Sequence, residues 1–154
     1  MRARDLMSSP VITCHVNDSL ATAAKHMWDR DCGVLGVVND EGKLTGMITD
    51  RDICMAAYTR GRTLDDLVVN IAMSSHVVSA QADQEINELE ELMATHQIRR
   101  IPIIDAHGTP IGMVSLNDLA IESAAPDSRI KQGLVKIAHT VAAICRPRTR
   151  KHAA

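Results

Sequence analysis

An internal repeat restricts the fold of this chain more than any other feature of its sequence. When the 154-residue chain is shifted by 66 residues, residues 7–53 align with residues 73–119 without a gap, and nine of the 47 aligned positions are identical. Met7-Ser8-Ser9 falls on Met73-Ser74-Ser75, and Gly46-Met47 falls on Gly112-Met113. Two copies are too few for a solenoid, which usually needs about three or more repeats. The repeat therefore predicts a pseudo-symmetric pair of small units packed face to face.

Both copies predict the same order of elements, strand–helix–strand–strand–helix. Apolar residues from Leu20 to Met27 recur at helical spacing after Asp18, the expected N-cap, and Asp83 is the expected N-cap in the second copy. The predicted fold class is α/β in the broad sense (α+β), with repeat 1 at residues 1–60 and repeat 2 at residues 61–125. The predicted strands are 11–15, 34–38, 44–49, 76–80, 101–104 and 111–115. Beside the helix that begins at Leu20, the predicted helices are 50–58, 84–96 and 116–123, with a polar linker at 59–66 and a short connecting helix at 66–73.

The last part of the chain, residues 126–154, is predicted to form an amphipathic helix followed by a basic tail. Pro126 ends the second repeat, and apolar residues spaced by three or four then predict a helix over 128–145. The stripe consists of Ile130, Leu134, Ile137, Val141 and Ile144. We expect this helix to be ordered and to cover a dimer or module surface, and residues 146–154 to be disordered.

Charge and composition exclude several classes of partner. The net charge is −2, but residues 128–154 carry seven basic and no acidic side chains, which leaves the rest of the chain at −9. An acidic body repels a polyanion, and one Trp, one Tyr and no Phe offer few platforms for stacking bases, so nucleic acid is not an expected partner. Without an apolar run of roughly 20 residues or an N-terminal leader, we expect a cytoplasmic protein that does not enter a membrane.

The four cysteines predict neither a disulfide framework nor a zinc ribbon. No two of them form a CxxC pair, and no histidine lies at a tight ligand spacing from them. A reducing compartment is the default expectation, and no metal is expected. A metal site built from the distant residues Cys14, His15, His96 and His107 is an alternative, although neighbours on a strand point to opposite faces.

A strand running into a helix carries the same polar motif in both copies. Thr49 and Asp52 stand at this junction in the first copy, and Ser115 and Asp118 stand there in the second. A helix N-terminus suits an anion, and a carboxylate can accept two hydrogen bonds from a vicinal diol such as that of ribose. The alternative is that the hydroxyls are N-caps and that the acids favour the helix dipole.

The second copy also has two adjacent cations at the mouth of its central strand. Arg99 and Arg100 precede Ile101 and Pro102, and phosphate is a suitable partner for such a pair. The alternative is an exposed, solvated rim. The first copy has neither the basic pair nor the proline, so we predict that the second site binds phosphate more strongly. Arg51 is the cation available to the first site.

These motifs resemble the CBS domain, and two in tandem resemble a Bateman module over residues 3–124. The resemblance implies a stand-alone regulatory module, not an enzyme, that binds an adenine nucleotide between its repeats and signals to a separate effector protein. AMP is the first candidate, followed by ADP, ATP, NAD and S-adenosylmethionine. The resemblance also implies that Asp52 and Asp118 hold ribose. The base slots would be formed by Ile12, Thr13, Val34 and Leu35 and by Val78, Ser79, Ile101 and Pro102.

Two other functions stay open beside nucleotide sensing. One is a redox- or metal-responsive module that uses the Cys and His residues, and the other is a purely structural dimerisation unit. The sequence offers no catalytic site, because it has no phosphate-binding glycine fingerprint and no nucleophile with an evident base. A homodimer is expected, since a pair of this size buries only about two thirds of its surface and its helices present small and apolar residues.

Overall fold

Two three-stranded sheets and five helices make up the part of the chain that the structure describes. A computed structural model describes residues 1–125 and 133–146, so the predicted start of the last helix at 128–132 and the tail at 147–154 lie outside it. The strands are β1 (Thr13–His15), β2 (Val34–Val38), β3 (Leu44–Thr49), β4 (Ala80–Gln81), β5 (Arg100–Ile104) and β6 (Pro110–Ser115). The helices are α1 (Leu20–Asp29), α2 (Asp50–Arg60), α3 (Ile86–His96), α4 (Leu116–Ala124) and α5 (Gly133–Cys145).

The two sheets have the same topology, which confirms the predicted pseudo-symmetry. In each, a short first strand runs parallel to the central strand, and the third strand returns antiparallel to it. The registers agree at the 66-residue shift: Val34 pairs with Thr49, and Arg100 pairs with Ser115. The central strands are buried at their three middle positions, where Leu35 and Val37 belong to the first core and Ile101 and Ile103 to the second.

The segments that lead into the two repeats each cross to the opposite repeat. Ser8 exchanges backbone hydrogen bonds with Met113 of the second sheet, at 2.9 and 3.0 Å, and Ser74 does the same with Met47 of the first sheet. A Cβ atom on Gly112 would collide with the sulfur of Met7, so a larger residue there would displace the Met7 side chain where this segment passes over β6. The repeated Met-Ser and Gly-Met motifs are therefore the two halves of one contact between repeats.

Two predicted helix caps are wrong. Ser19, not Asp18, is the N-cap of α1, and its hydroxyl accepts from the backbone N–H of Thr22 at 3.1 Å. Asp18 instead accepts from the N–H of His15 at 2.7 Å and closes the turn after β1. In the second repeat α3 begins at Ile86 rather than near Asp83, and its N-cap Glu85 makes no side-chain capping bond.

The segments between the elements also differ from the predictions. β1 and β4 are shorter than predicted and begin at Thr13 and Ala80. The predicted helix over 66–73 is replaced by two 3-10 turns, Leu64–Asp66 and Val69–Ile71. The reason is that backbone N–H groups of this segment bond to the first repeat, as Val69 does to the carbonyl of Asp18 at 2.8 Å, rather than along a helix.

The last helix packs on the helical face of the second repeat. α5 lies against α3 and α4, Ile137 is buried in the second core, and Gln97 Nε2 donates to the carbonyl of Ala143 at 3.0 Å. The predicted stripe is correct at Ile137 and Ile144, but Val141 is exposed and Thr140 is buried in its place. The described part of this helix thus covers a module surface, which is one of the two predicted outcomes.

Candidate functional site

A cleft of about 310 Å³ lies between the two repeats, at the lower end of the volumes that hold small ligands. Its walls come from the leading segment, from the α1–β2 loop and from β5, β6 and α4. The lining residues are Ser8, Pro10, Val11, Ile12, Arg30, Cys32, Val34, Arg100, Met113, Ser115 and Asp118. Five of the predicted site residues meet here: Ile12, Val34, Arg100, Ser115 and Asp118.

A capping box fixes the acid at the polar end of the cleft. Asp118 Oδ2 accepts from the backbone N–H of Ser115 at 2.7 Å and from the Ser115 hydroxyl at 2.6 Å, while the Asp118 N–H donates to that hydroxyl at 3.2 Å. A Ser-x-x-Asp sequence at the start of a helix favours this reciprocal arrangement. Within the described residues no hydrogen bond uses Asp118 Oδ1, which leaves one carboxylate oxygen for a ligand in the cleft.

Two arginines from different repeats border the same cleft. Arg100 begins β5 and is half-buried, and Arg30 follows α1 as its C-cap and is exposed. Neither guanidinium forms a salt bridge with any residue in the described ranges. Two unpaired cations close to a helix N-terminus make this end of the cleft electropositive, which suits a phosphate group.

Arg30 is the functional candidate that the sequence reasoning missed. It precedes Asp31, whose φ is +49°, just as His96 precedes Gln97, whose φ is +52°. The 66-residue shift therefore pairs two left-handed turns at the same place in the two repeats. The shared turn could have drawn attention to Arg30, but its counterpart His96 does not line the cleft, so only the structure identifies Arg30, rather than the expected Arg51, as the cation from the first repeat.

The remaining predicted slot residues divide into buried and outlying groups. Leu35, Ile101 and Pro102 are fully buried, so their side chains serve the two cores. The slot residues Thr13, Val78 and Ser79 do not line this cleft, and neither does Arg99 of the predicted basic pair. The Arg99 carbonyl instead accepts from the N–H of Leu116 at 2.9 Å and helps to start α4.

The first repeat has the same capping box, but away from this cleft. Asp52 Oδ2 accepts from the N–H and the hydroxyl of Thr49 at 2.9 and 2.7 Å. Asp52 lines a separate shallow hollow of about 210 Å³ beside Arg60. Arg51 is exposed, and its N–H donates to Asp50 Oδ1 at 2.7 Å. The N-cap alternative is thus confirmed for both hydroxyls, while only the Asp118 box opens into the cleft between the repeats.

The thiols and histidines do not assemble around a common point in the described structure. Across residues 1–125 and 133–146, no three His, Cys, Asp or Glu side chains lie close enough together to hold a metal ion. Burial and the nearby Asp18 carboxylate raise the pKa of Cys14 to about 12, so this thiol stays protonated and inert at neutral pH. None of the helices in residues 1–125 and 133–146 is long and apolar enough to cross a membrane.

Comparison with known protein families identifies both repeats. The family model of the CBS domain matches residues 3–58 and 66–124, which are the two strand–helix–strand–strand–helix units described above. The chain belongs to the CBS domain family. The two matched segments make it a CBS pair, and the cleft lies between its two CBS repeats.

Relatives and solved structures support this assignment along most of the chain. The CBS pair is 35% identical to the CBS domain-containing protein YhcV of Bacillus subtilis over 136 residues, which are 88% of this chain and 94% of the relative. It resembles the crystal structure of the CBS domain pair of protein MJ0100 in complex with 5-methylthioadenosine and S-adenosyl-L-methionine, with a TM-score of 0.69, 28% identity, and coverage of 79% of this chain and 94% of that one. It also resembles Hypoxic Response Protein I with two coordinated zinc ions, with a TM-score of 0.72, 29% identity, and coverage of 82% and 100%.

Proposed function

We propose that this CBS pair is a cytoplasmic regulatory module, not an enzyme, that binds an adenine nucleotide in the cleft between its repeats. AMP is the first candidate, and ADP, ATP, NAD and S-adenosylmethionine follow. The bound state is passed to a separate effector protein. One observation carries the proposal: Asp118, Arg100 and Arg30 line a single cleft whose other lining residues, apart from Ser8 and Ser115, are apolar.

The chemistry of the cleft matches the three parts of a nucleotide. The open oxygen of Asp118 accepts hydrogen bonds from ribose hydroxyls, which an amide or a hydroxyl would bind less strongly. Arg100, with Arg30 across the cleft, neutralises phosphate. Ile12 and Val34 offer an apolar surface of the kind that covers the faces of a purine. The proposed ligand therefore touches both repeats at once.

The MJ0100 complex supports an adenosine-type ligand, and the two arginines support a phosphate on it. 5-Methylthioadenosine carries no phosphate, and S-adenosylmethionine has a net positive charge, because its ammonium and sulfonium outweigh its one carboxylate. The cations at this cleft therefore favour AMP and its phosphorylated relatives over both ligands of MJ0100.

Calorimetric titration with AMP tests the proposal. Asp118→Ala should weaken AMP binding roughly ten- to a hundredfold, the effect of losing a charge-assisted hydrogen bond of about 1.5–3 kcal/mol. Asp52→Ala is the matched control, because it removes the same capping box from α2 but lies outside the cleft. Both variants lose a helix cap, so their melting temperatures show how much that loss alone destabilises the protein. Equal AMP affinity for wild type, Asp118→Ala and the double variant would refute nucleotide binding at this site.

Zinc binding is a second candidate because a structural relative holds two zinc ions. Titration of chelator-treated protein with zinc, followed by metal analysis after gel filtration, tests it directly. A stoichiometric, tightly held zinc ion that persists in Asp118→Ala would favour the metal-responsive alternative. If zinc, AMP and the other candidate adenine ligands all fail to bind, the structural dimerisation unit becomes the favoured function.

A further inference from the structure

An apolar groove lies between α1 and α2 of the first repeat. It has a volume of about 620 Å³, twice that of the nucleotide cleft, and its floor includes Met27, Ile53 and Ala57. Trp28 lines it with 88% of its surface exposed. We call this feature the α1/α2 groove. An exposed tryptophan beside an apolar groove of this size marks an interaction site.

The second repeat shows what fills the corresponding groove. The 66-residue shift maps Met27 to Met93 and Ile53 to Leu119, which lie on α3 and α4. There α5 of the same chain packs across both helices, and Ile137 joins Met93 and Leu119 in one core. The two repeats thus present equivalent grooves, of which one holds an amphipathic helix and the other is open.

The helix α5 has a second apolar face that nothing in the described structure covers. Val135, Ala138, Ala142 and Cys145 are exposed and follow the spacing i, i+3, i+7, i+10, which places them on one side of the helix. Ile137 and Ile144 face the opposite way, onto the second repeat. A surface helix normally presents polar residues outward, so an outer stripe of Val, Ala and Cys is suited to a second contact.

Charges on the two surfaces are complementary. The α1/α2 groove is lined by Asp31 and Asp50 and by no basic side chain. Helix α5 contains no acidic residue, and on the side of its exposed stripe it carries His139 and is followed by Arg146, whereas Lys136 donates to Asn87 of α3 at 2.8 Å. A like-charged partner would be repelled from the groove, whereas this helix would be attracted to it.

We propose that the α1/α2 groove of one copy receives the outer face of α5 from a second copy, and that the contact is reciprocal. Each α5 then packs between the second repeat of its own chain and the first repeat of the partner. Two such contacts related by one two-fold axis close the assembly as a dimer and leave no open groove. This arrangement differs from one in which the two α1/α2 grooves face each other, since that would bring four aspartates together.

Chemical cross-linking distinguishes these arrangements, because an exposed cysteine marks each surface. Cys54 lines the groove and Cys145 lies on the outer stripe of α5. Cys14 is buried, and Cys32→Ser removes the remaining half-exposed thiol. In that background a short bis-maleimide, which adds to two thiols without oxidation, should give a covalent dimer whose digest contains Cys54 joined to Cys145.

Single-cysteine variants show which chains are joined. Co-expressed Cys54→Ser and Cys145→Ser chains should still cross-link to each other, whereas each variant alone should lose at least nine tenths of the covalent dimer. Strong cross-linking of Cys145→Ser alone would show groove-to-groove packing and overturn the proposal. The absence of a covalent dimer in the co-expressed pair would overturn it as well.

Sedimentation of two surface variants gives an independent measurement. Trp28→Glu should raise the dimer dissociation constant at least tenfold, because it removes the largest apolar side chain of the groove and adds an acid. Ile121→Glu is the matched control: Ile121 is 73% exposed on α4 and lies outside the groove, so the dimer should be unaffected. A monomeric wild type, or equal dissociation constants for all three proteins, would contradict the proposal.

Discussion

Glu90 on α3 is a buried acidic residue whose carboxylate has no hydrogen-bond partner in the described structure. Its side chain is 4% exposed under α5, and neither carboxylate oxygen has a hydrogen-bond partner. Burial raises the pKa of this carboxyl above its ordinary 4.5, with Lys136 opposing the shift and Glu91 adding to it. Sequence reasoning does not single out Glu90, because Glu88, Glu90 and Glu91 together are typical of a solvated helix face, and only the packing of α5 sets Glu90 apart.

Replacing Glu90 with methionine should stabilise the protein at neutral pH. The raised pKa means that the folded state binds a proton more tightly than the unfolded state, so stability falls as the pH rises from about 4.5 through the folded-state value. Glu90→Met removes this loss together with two unsatisfied oxygens, so we expect a gain of roughly 1–3 kcal/mol at pH 7.5 that shrinks toward pH 4.5. Urea unfolding at several pH values measures it. The exposed Glu88→Met should change stability by less than about 0.5 kcal/mol with no such pH trend.

Arg30 and Arg100 are the two residues whose proposed contact with phosphate can be tested separately. If both guanidiniums meet phosphate, each alanine variant should lose affinity for AMP roughly tenfold or more and leave adenosine binding nearly unchanged. Arg51→Ala is the matched control, because Arg51 is exposed and lies outside the cleft. Competition titrations with the two ligands give the ratio directly. Equal losses for AMP and adenosine would mean that the arginines act on the fold of the cleft rather than on phosphate.

Among the elements, α5 is expected to stabilise the second repeat by covering its core. A chain that ends at residue 125 should melt at a lower temperature and bind a hydrophobic dye, since Met93 and Leu119 lose the cover that Ile137 provides. A more specific variant is Ile137→Ala in the full chain, which should cost roughly 2–4 kcal/mol, whereas Val135→Ala on the exposed face should cost little. Calorimetry of the three proteins decides this. An unchanged melting temperature after truncation would show that α5 does not cover the second core.

Sequence reasoning was most successful for elements and least successful for their junctions. The strands β2, β3, β5 and β6 were predicted within one residue, because continuous apolar runs between turn residues leave few alternatives. The caps at Asp18 and Asp83 were wrong, because several neighbouring polar side chains can each close a turn and only tertiary hydrogen bonds select one. Hydrophobic periodicity does not show that the two leading segments cross to the opposite repeat. For this reason the sequence supplied the parts of the cleft but did not show that Ile12 and Val34 of one repeat face Asp118 of the other.

At the scale of the whole molecule, one short segment connects the cleft with the α1/α2 groove. Cys32 lines both cavities, and Gly33 beside it lies in the wall of the groove, where a Cβ atom would be only 3.0 Å from the Asp50 carboxylate. The preceding Asp31 holds a left-handed conformation, which few non-glycine residues adopt. A ligand that tightens the cleft around Arg30 therefore acts on the wall against which we propose that the partner's helix packs.

This connection predicts that AMP binding and dimerisation are linked. If AMP orders the segment at residues 31–33, dimerisation loses less conformational entropy when it orders the same segment. AMP should therefore strengthen the dimer about fivefold or more, the usual range of allosteric coupling. Each dimer holds two AMP molecules and linkage is reciprocal, so at concentrations where Trp28→Glu is monomeric it should bind AMP more weakly than the wild-type dimer by the square root of that factor, about twofold. Sedimentation with and without AMP gives the first number, and calorimetry of the two proteins gives the second. If AMP binds the dimer and the Trp28→Glu monomer equally and leaves the dimer constant unchanged, the two cavities are independent and the signal leaves the cleft by another route.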